Sequence, residues 1–495
     1  MENPKWKTPA SNAGEEFEMI AKTFQGLETV LATELIDLGA NNIQIGRRMV
    51  SFTGNKELLY RANFQLRTAI RILMPIKHFR ATSADEVYEA VQQIDWTNYL
   101  TNETTFAVDS VVFSQEFRHS KFVAYKVKDA IVDQMRERTG ERPNIRVTNP
   151  DLQLHIHIAE YDCTLSLDTS GESLHRRGYR QETVEAPLNE VLAAGIIMLT
   201  GWKGECDLID PMCGSGTIAI EAALIARGIA PGVYRKEYAF AKWPDFDQEL
   251  FDSIYEDESR EHEVEHHIYG YDINHNAVAI ATTNVKAAGL SKEITIQQQD
   301  FADFKQPAEK AIIITNPPYG ERISAPDLLG LYKMIGSKFK HDFTGNDAWV
   351  LSYREECFDQ IGLKPSLRTP LYNGSLECEL RKYQMFSGKF NDMRAGGGDI
   401  KTAQERRMMA DRKRFKQHRD FKERLEDDPR ERFTRKKDRE DYRRDSKRGD
   451  FRKESRGEHK DFRGDARKDF RSGRKPFDKN KPVKKYGKKR YDDED

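Results

Sequence analysis

The strongest constraint on the fold of this chain lies between residues 172 and 386, where short apolar runs alternate with helical periodicity. "CDLID" leads through "PMCGSG" into "TIAIEAALIARG", and "HIYGYD" leads into "NAVAIATTNVKAAG". Then come "ITIQQQD", "AIIIT", "PDLLGLYKMIGSKFK", "DAWVLSY" and a closing pair of strands in "GSLECELRKYQMF". Strands separated by helices imply a mostly parallel α/β sheet covered on both faces. The ligand of such a sheet sits beyond the carboxyl ends of its strands, near the point where strand order reverses. Asp210, Asp272, Asp300 and Asn316 each close an expected strand, so the four are expected to converge on one pocket.

The first of these strand ends carries a loop. In "DPMCGSGTIAIEAA", Gly214, Gly216 and Ala219 form a G-x-G-x-x-A turn opening a helix, which any Rossmann-like nucleotide site can carry. Asp272, ending "YGYD", suits ribose hydroxyls, and Asp300, ending "TIQQQD", suits an adenine amino group. A tight turn and a capped helix with no ligand is the plainer alternative.

The last strand end is more specific. "AIIIT" runs into Asn316-Pro317-Pro318-Tyr319. Two consecutive prolines donate no backbone hydrogen bonds and hold φ nearly fixed, so this is a stiff platform rather than helix or central strand. An exocyclic amine on a nucleobase is a poor nucleophile because its lone pair is delocalised into the ring. If Asn316 Oδ1 and the Pro317 carbonyl accept its two N–H bonds, the lone pair is drawn out of conjugation and aimed, while Tyr319 stacks on the base. Such a base must be unpaired or flipped out of its helix.

Upstream, residues 16–75 read strand, helix, strand, helix, strand, a small α+β unit. Residues 76–170 read as a second one: helix "ADEVYEAVQQI", strand "TFAVDSVVF", basic helix "SKFVAYKVKDAIVDQMRERTG", and a final stretch in which Leu152, Leu154, Ile156 and Ile158 alternate with polar residues. That period predicts a half-buried strand with His155 and His157 facing solvent, not ligating metal. Beyond residue 387 aliphatic residues almost vanish. Residues 391–495 hold 38 basic and 25 acidic side chains, which hides a net acidic remainder behind the chain's near-neutral charge. This tail cannot bury enough surface to fold and is expected to be disordered, its Phe and Tyr between arginines suiting unpaired bases; a solubilising spacer is the alternative.

At 495 residues the chain allows two to four domains. Its five cysteines, Cys163, Cys206, Cys213, Cys357 and Cys378, form no CxxC pair, so no metal and no disulfide framework is expected. The first residues hold no apolar signal core and no apolar run of about 18 residues occurs, so a cytoplasmic protein without a membrane partner is expected.

Together these residues carry a resemblance. "LHRRGYR", "APLNEVLAAGIIMLTGW", "DPMCGSGTIAIEAA", "YGYDIN" and "TNPPYGER", in that order, resemble the bacterial THUMP-containing class I RNA methyltransferases, in particular the amino-terminal half of the two-headed large-subunit rRNA enzymes that modify a guanine N2. The resemblance covers roughly residues 16–386. It implies a Rossmann-like class I methyltransferase domain at 171–386, preceded by a ferredoxin-like domain at 16–75 and an RNA-gripping THUMP domain at 76–170, with the tail from 387 to 495. It implies S-adenosylmethionine as cofactor, held by Asp210, Cys213, Gly214, Ser215, Gly216, Thr217, Asp272, Ile273, Asp300, Phe301 and Asn316, with Asn316, Pro317, Pro318 and Tyr319 at the target amine. The partner it implies is RNA, either large-subunit rRNA or a ribosome assembly intermediate. The second head of the fused relatives is absent and the charged tail stands in its place, so no N7-guanine activity is expected.

"LHRRGYR" also has a physical reading. Arg176, Arg177 and Arg180 offer guanidinium forks for RNA phosphate or for the cofactor's carboxylate, with a surface linker as the alternative. On the THUMP-like unit, Arg118, Lys121, Lys126 and Lys128 can contact RNA phosphates; charge on a solvated helix explains any one of them equally well. The principal expectation is guanine-N2 methylation of RNA. Its rivals are N6-adenine methylation of RNA or DNA, methylation of a protein glutamine amide, and a non-catalytic RNA-binding assembly factor. Methylation at a pyrimidine C5 lacks the cysteine it would need beside the Pro-rich loop.

Overall fold

The computed structural model describes residues 8–11, 14–307, 310–320 and 327–386. The expected disordered tail, and Glu321-Arg322 of the Pro-rich motif, lie outside the described residues.

The amino-terminal part is built from β1 (Phe17–Lys22), α1 (Glu28–Asp37), β2 (Asn41–Gly46), β3 (Met49–Gly54), α2 (Lys56–Gln65) and β4 (Arg71–Arg80). One strand was expected where β2 and β3 form an antiparallel hairpin. Its turn places Arg48 at a positive φ of 57°, a conformation that the sequence "GRRM" does not advertise with a glycine at that position. Then follow α3 (Ala84–Gln92), β5 (Thr105–Phe113), α4 (Ser120–Thr139), β6 (Asn144–Ile145), β7 (Leu152–Ala159) and β8 (Asp162–Asp168). All eight strands make one sheet in the order β2-β3-β1-β4-β8-β7-β5-β6. β4 runs through the expected boundary at residues 75 and 76 and pairs with both β1 and β8, so the two α+β units share a sheet and a core.

β7 differs from its expectation. Leu152, Leu154, Ile156 and Ile158 are fully buried, but Gln153 and His155 on the opposite face are buried too. The strand lies inside the sheet between β8 and β5. A 3-10 turn at Ala239–Lys242 packs against it, and Lys242 Nζ reaches the Pro150 carbonyl just before its start at 3.0 Å. Burial first, then the charges of Lys22 and Arg71, pushes the His155 imidazole down to about 3, so it is a neutral interior histidine. His157 is half-buried.

The carboxyl-terminal part comprises α5 (Glu190–Thr200), β9 (Asp207–Asp210), α6 (Thr217–Ala226), α7 (Gln248–Tyr255), β10 (Ile268–Asp272), α8 (His275–Ala287), β11 (Ile294–Gln298), β12 (Ala311–Thr315), α9 (Leu328–Asp342), β13 (Asp347–Ser352), α10 (Glu355–Ile361), β14 (Leu367–Asn373) and β15 (Leu376–Gln384). Its sheet runs β11-β10-β9-β12-β13-β15-β14, parallel from β11 to β13 and closed by the antiparallel β14–β15 hairpin. Strand order reverses between β9 and β12, which opens a crevice at their carboxyl ends. β9 and β12 are buried along their whole length, as central strands covered on both faces require. Among the described residues no helix is long and apolar enough to cross a membrane.

Candidate active site

The turn after β9 is sewn to the end of β10. The Cys213 N–H donates to the Tyr271 carbonyl at 2.8 Å, and the Gly214 N–H donates to Asp272 Oδ2 at 3.0 Å. Gly216 starts α6 at φ 81°, and a Cβ there would stand 3.2 Å from that of Ala281 on α8, so glycine serves both the turn and the close helix approach. Asp272 Oδ1 accepts the Asn274 N–H at 2.9 Å, and Asn274 in turn caps α8. Asp300 Oδ1 accepts the Ala302 N–H at 2.9 Å in the same way, opening the short turn Phe301–Asp303.

These ends enclose a cavity of about 720 Å³. Asp210, Cys213, Gly214, Ser215 and Thr217 line it on the side of β9 and α6, and Asp272, Ile273, Asp300 and Phe301 on the side of β10 and β11. Asn316, Pro317, Pro318 and Tyr319 line it after β12. Of the expected cofactor residues only Gly216 stays out of the lining, because its place is against α8. Asp210 is 1% exposed, and burial pushes its carboxyl up to about 8, with the neighbouring charge of Asp272 acting in the same direction. Burial likewise drives the Cys213 thiol well above the usual range, so it stands as a neutral thiol and not as a nucleophile.

Asn316 Oδ1 is buried and has no hydrogen-bond partner among the described residues. A buried amide oxygen left unpaired is costly, and Asn316 is one of the residues lining the cavity. Tyr319 is held edge-on to Tyr353, with ring centroids 5.3 Å apart, and its hydroxyl accepts from Asn373 Nδ2 at 2.6 Å. Asn373 and Leu376, at the tip of the β14–β15 hairpin, line the same cavity. Sequence reasoning missed this tip, because nothing local in "YNGSLE" points to it. The wall formed by Val184, Glu185, Ala186, Pro187 and Leu188 was also missed as a cavity wall. Its only signal was the quoted run "APLNEVLAAG".

The arginines of "LHRRGYR" do not act as one group. Arg177, expected to meet RNA, is 2% exposed and pairs with the fully buried Glu221 at 3.4 Å, while also donating to the carbonyls of Leu174 and Arg67. It cannot reach a phosphate. Arg180 is also turned inward, donating to Glu190 Oε1, Ser215 Oγ and Thr217 Oγ1. Between them Gly178, at φ 112° and with a Cβ that would stand 2.2 Å from the Tyr234 carbonyl oxygen, lets the segment pass close against the 3-10 turn Pro231–Tyr234. Arg176 alone stays exposed, paired with Glu172 at 2.8 Å. On α4, Lys121 is exposed, as is Arg118 just before the helix, while Lys126 pairs with Asp85 and Lys128 with Asp129.

The cavity fits S-adenosylmethionine by the chemistry of its lining. Its volume lies in the range of sites for small ligands and cofactors, and five carboxyl groups, those of Glu185, Asp210, Asp272, Asp300 and Asp327, suit a cationic, hydroxyl-rich nucleoside. Comparison with known proteins points the same way. Residues 177–382 match the RMKL-like methyltransferase domain, residues 81–168 the THUMP domain and residues 18–73 the RlmL ferredoxin-like domain. A protein of Synechocystis sp., named as a candidate RNA methyltransferase, is 38% identical over 369 residues, which cover 74% of this chain and 96% of that one. The ribosomal RNA large subunit methyltransferase K/L of Syntrophotalea carbinolica is 40% identical over 380 residues, 74% of this chain and 53% of its own length. This chain thus spans about half of the K/L proteins it matches. A candidate methyltransferase solved in complex with S-adenosylhomocysteine superposes with a TM-score of 0.68 at 30% identity, covering 76% of this chain and 99% of that one.

Proposed function

This chain belongs to the THUMP-bearing, RMKL-like methyltransferases, and from that premise we propose that it methylates the exocyclic N2 amine of a guanine in RNA, with large-subunit rRNA as its substrate. The cofactor is S-adenosylmethionine, which when bound supplies an electrophilic methyl carbon. The other contributions come from the chain itself. Asp272 takes the ribose hydroxyls and Asp300 the adenine amino group, while the Gly214–Gly216 turn lets the backbone approach closely. Asn316 Oδ1 and the Pro317 carbonyl accept the two N–H bonds of the target amine, which localises its lone pair and points it into the cavity. The prolines keep those acceptors from relaxing, and Tyr319, braced by Tyr353 and Asn373, stacks on the base. No strong base is needed before the transfer: the methyl would leave a neutral thioether, S-adenosylhomocysteine, and the ammonium-like nitrogen it joins is acidic enough to lose its proton to water.

The observation that carries this reading is the buried, unpaired Asn316 Oδ1 on a two-proline platform at the strand-reversal crevice. The THUMP domain and the K/L relatives support RNA over other bearers of a planar amine. Replacing Asn316 by Ala is expected to lower turnover about 100-fold or more, by analogy with loss of one preorganised polar contact to the transition state. Binding of S-adenosylmethionine, measured by calorimetry, should persist. Unchanged turnover would rule out this role for Asn316, and N6-methyladenosine as the product would favour the adenine reading.

A further inference from the structure

One buried network beside the cofactor loop has no part in the chemistry above. Asn284, on α8, is 0% exposed and every polar face of its amide is occupied. Its Oδ1 accepts the backbone N–H groups of Gln181 at 2.9 Å and Glu182 at 3.2 Å. Its Nδ2 donates to the carbonyls of Glu182 at 3.0 Å and Ser215 at 3.1 Å. Ser215 belongs to the turn after β9, whereas Gln181 and Glu182 belong to the segment that leaves the eight-stranded sheet and goes on to form the cavity wall at 184–188. Arg180, from that same segment, donates to Ser215 Oγ at 2.8 Å and to Thr217 Oγ1 at 2.9 Å. Its remaining contacts, Glu190 Oε1 at 2.8 Å and the Leu188 carbonyl at 3.2 Å, fix the far end of the wall.

We propose that Asn284 and Arg180 are positioning residues for the cofactor: they lock the loop 213–217 and the wall 184–188 to each other, so that the cavity holds its shape before S-adenosylmethionine arrives. The assignment rests on the reading of 213–217 as the cofactor loop. The residue types fit the task. Only a side-chain amide offers two donors and a two-lone-pair acceptor on a short stem. Alanine at 284 would leave two N–H and two C=O groups without their partner, and aspartate would set a carboxylate against the Ser215 and Glu182 carbonyls. Lysine at 180 can keep the ion pair with Glu190, but as a single ammonium it cannot span both hydroxyls as the guanidinium fork does.

The test uses the full chain and two variants, Asn284→Ala and Arg180→Lys, studied below their melting temperatures. Without ligand, amide hydrogen exchange in 213–217 should quicken about tenfold or more in Asn284→Ala, as local opening becomes easier. The Kd for S-adenosylhomocysteine, by calorimetry, should rise about tenfold or more, because small displacements of binding groups carry large losses. The KM for S-adenosylmethionine should follow while kcat at saturation stays within about threefold, the pattern of lost uniform binding. Affinity for a 23S rRNA transcript should stay within about twofold, since no RNA contact is removed. A lower melting temperature with unchanged Kd and unchanged exchange would overturn the proposal and leave Asn284 as a support of the fold. If Asn284→Ala does not fold, Arg180→Lys decides: a Kd raised about threefold or more supports the proposal, and an unchanged one overturns it. Failure of the parent protein to bind S-adenosylhomocysteine would instead overturn the cofactor reading beneath it.

Discussion

Arg177→Met separates structure from RNA contact at a residue whose sequence context suggests phosphate binding. The guanidinium and Glu221 are 2% and 0% exposed, and the arginine also serves the Leu174 carbonyl at 2.8 Å and the Arg67 carbonyl at 2.5 Å. Removing one member of a buried pair costs about 3–5 kcal/mol. Glu221 limits that cost by taking up a proton, because burial already raises its carboxyl. The lower end, about 3 kcal/mol, is therefore expected near pH 6. At roughly 2–4 °C per kcal/mol the melting temperature should fall by about 6–12 °C in scanning calorimetry. With Arg177 gone, the folded-state pKa of Glu221 stands further above its unfolded value, so the folded protein binds more protons than the unfolded chain in that window. Stability then declines as pH rises through it, and the gap to the parent should widen from pH 6 to 8.5. A further change, Glu221→Leu, should recover much of the loss, because the uncompensated carboxyl is then removed. Filter binding to a 23S rRNA transcript should not change. A tenfold loss of RNA affinity with melting within about 2 °C of the parent would refute the buried-pair reasoning and restore Arg177 to the RNA surface.

Three further outcomes are expected. The Asp210 carboxyl, pushed up to about 8 by burial, holds its proton at neutral pH in the free protein, so unliganded stability should fall as pH rises from about 4 to 8. A sulfonium in the cavity favours the carboxylate, so calorimetry of S-adenosylmethionine binding in buffers of different ionisation enthalpy should report proton release at pH 7 that vanishes by pH 9.5; none at pH 7 would contradict this. Asp210→Asn should abolish the release. Removing residues 391–495, with their 38 basic and 25 acidic side chains, should weaken RNA affinity and flatten its dependence on salt, and an unchanged slope would make that segment a spacer.

Much of the carboxyl-terminal sheet was legible because each strand end carries its own signal: Asp210 before a glycine turn, Asp272 before the Asn274 cap, Asp300 before a short turn, and Asn316 before two prolines. These are local features, and the parallel sheet gathers them on one edge without further information. What escaped the sequence depends on distant partners. Tyr319 finds Asn373 across 54 residues and Asn284 finds Ser215 across 69, and nothing near either residue encodes the meeting. The arginines of "LHRRGYR" misled for a related reason: three adjacent guanidiniums look like a phosphate clamp until Glu221, Glu190 and Glu172 are seen to take one each. His155 misled because strand alternation reports which residues share a face, while only the packed neighbour decides whether the second face meets water.

The central claim is tested most directly by mass spectrometry of nucleosides from purified large-subunit rRNA, small-subunit rRNA and tRNA of a strain lacking this chain, beside its parent and a strain complemented with Asn316→Ala. The account predicts that N2-methylguanosine falls in large-subunit rRNA of the deletion strain and is not restored by Asn316→Ala. Unchanged N2-methylguanosine in that RNA, or its full recovery with Asn316→Ala, would contradict it.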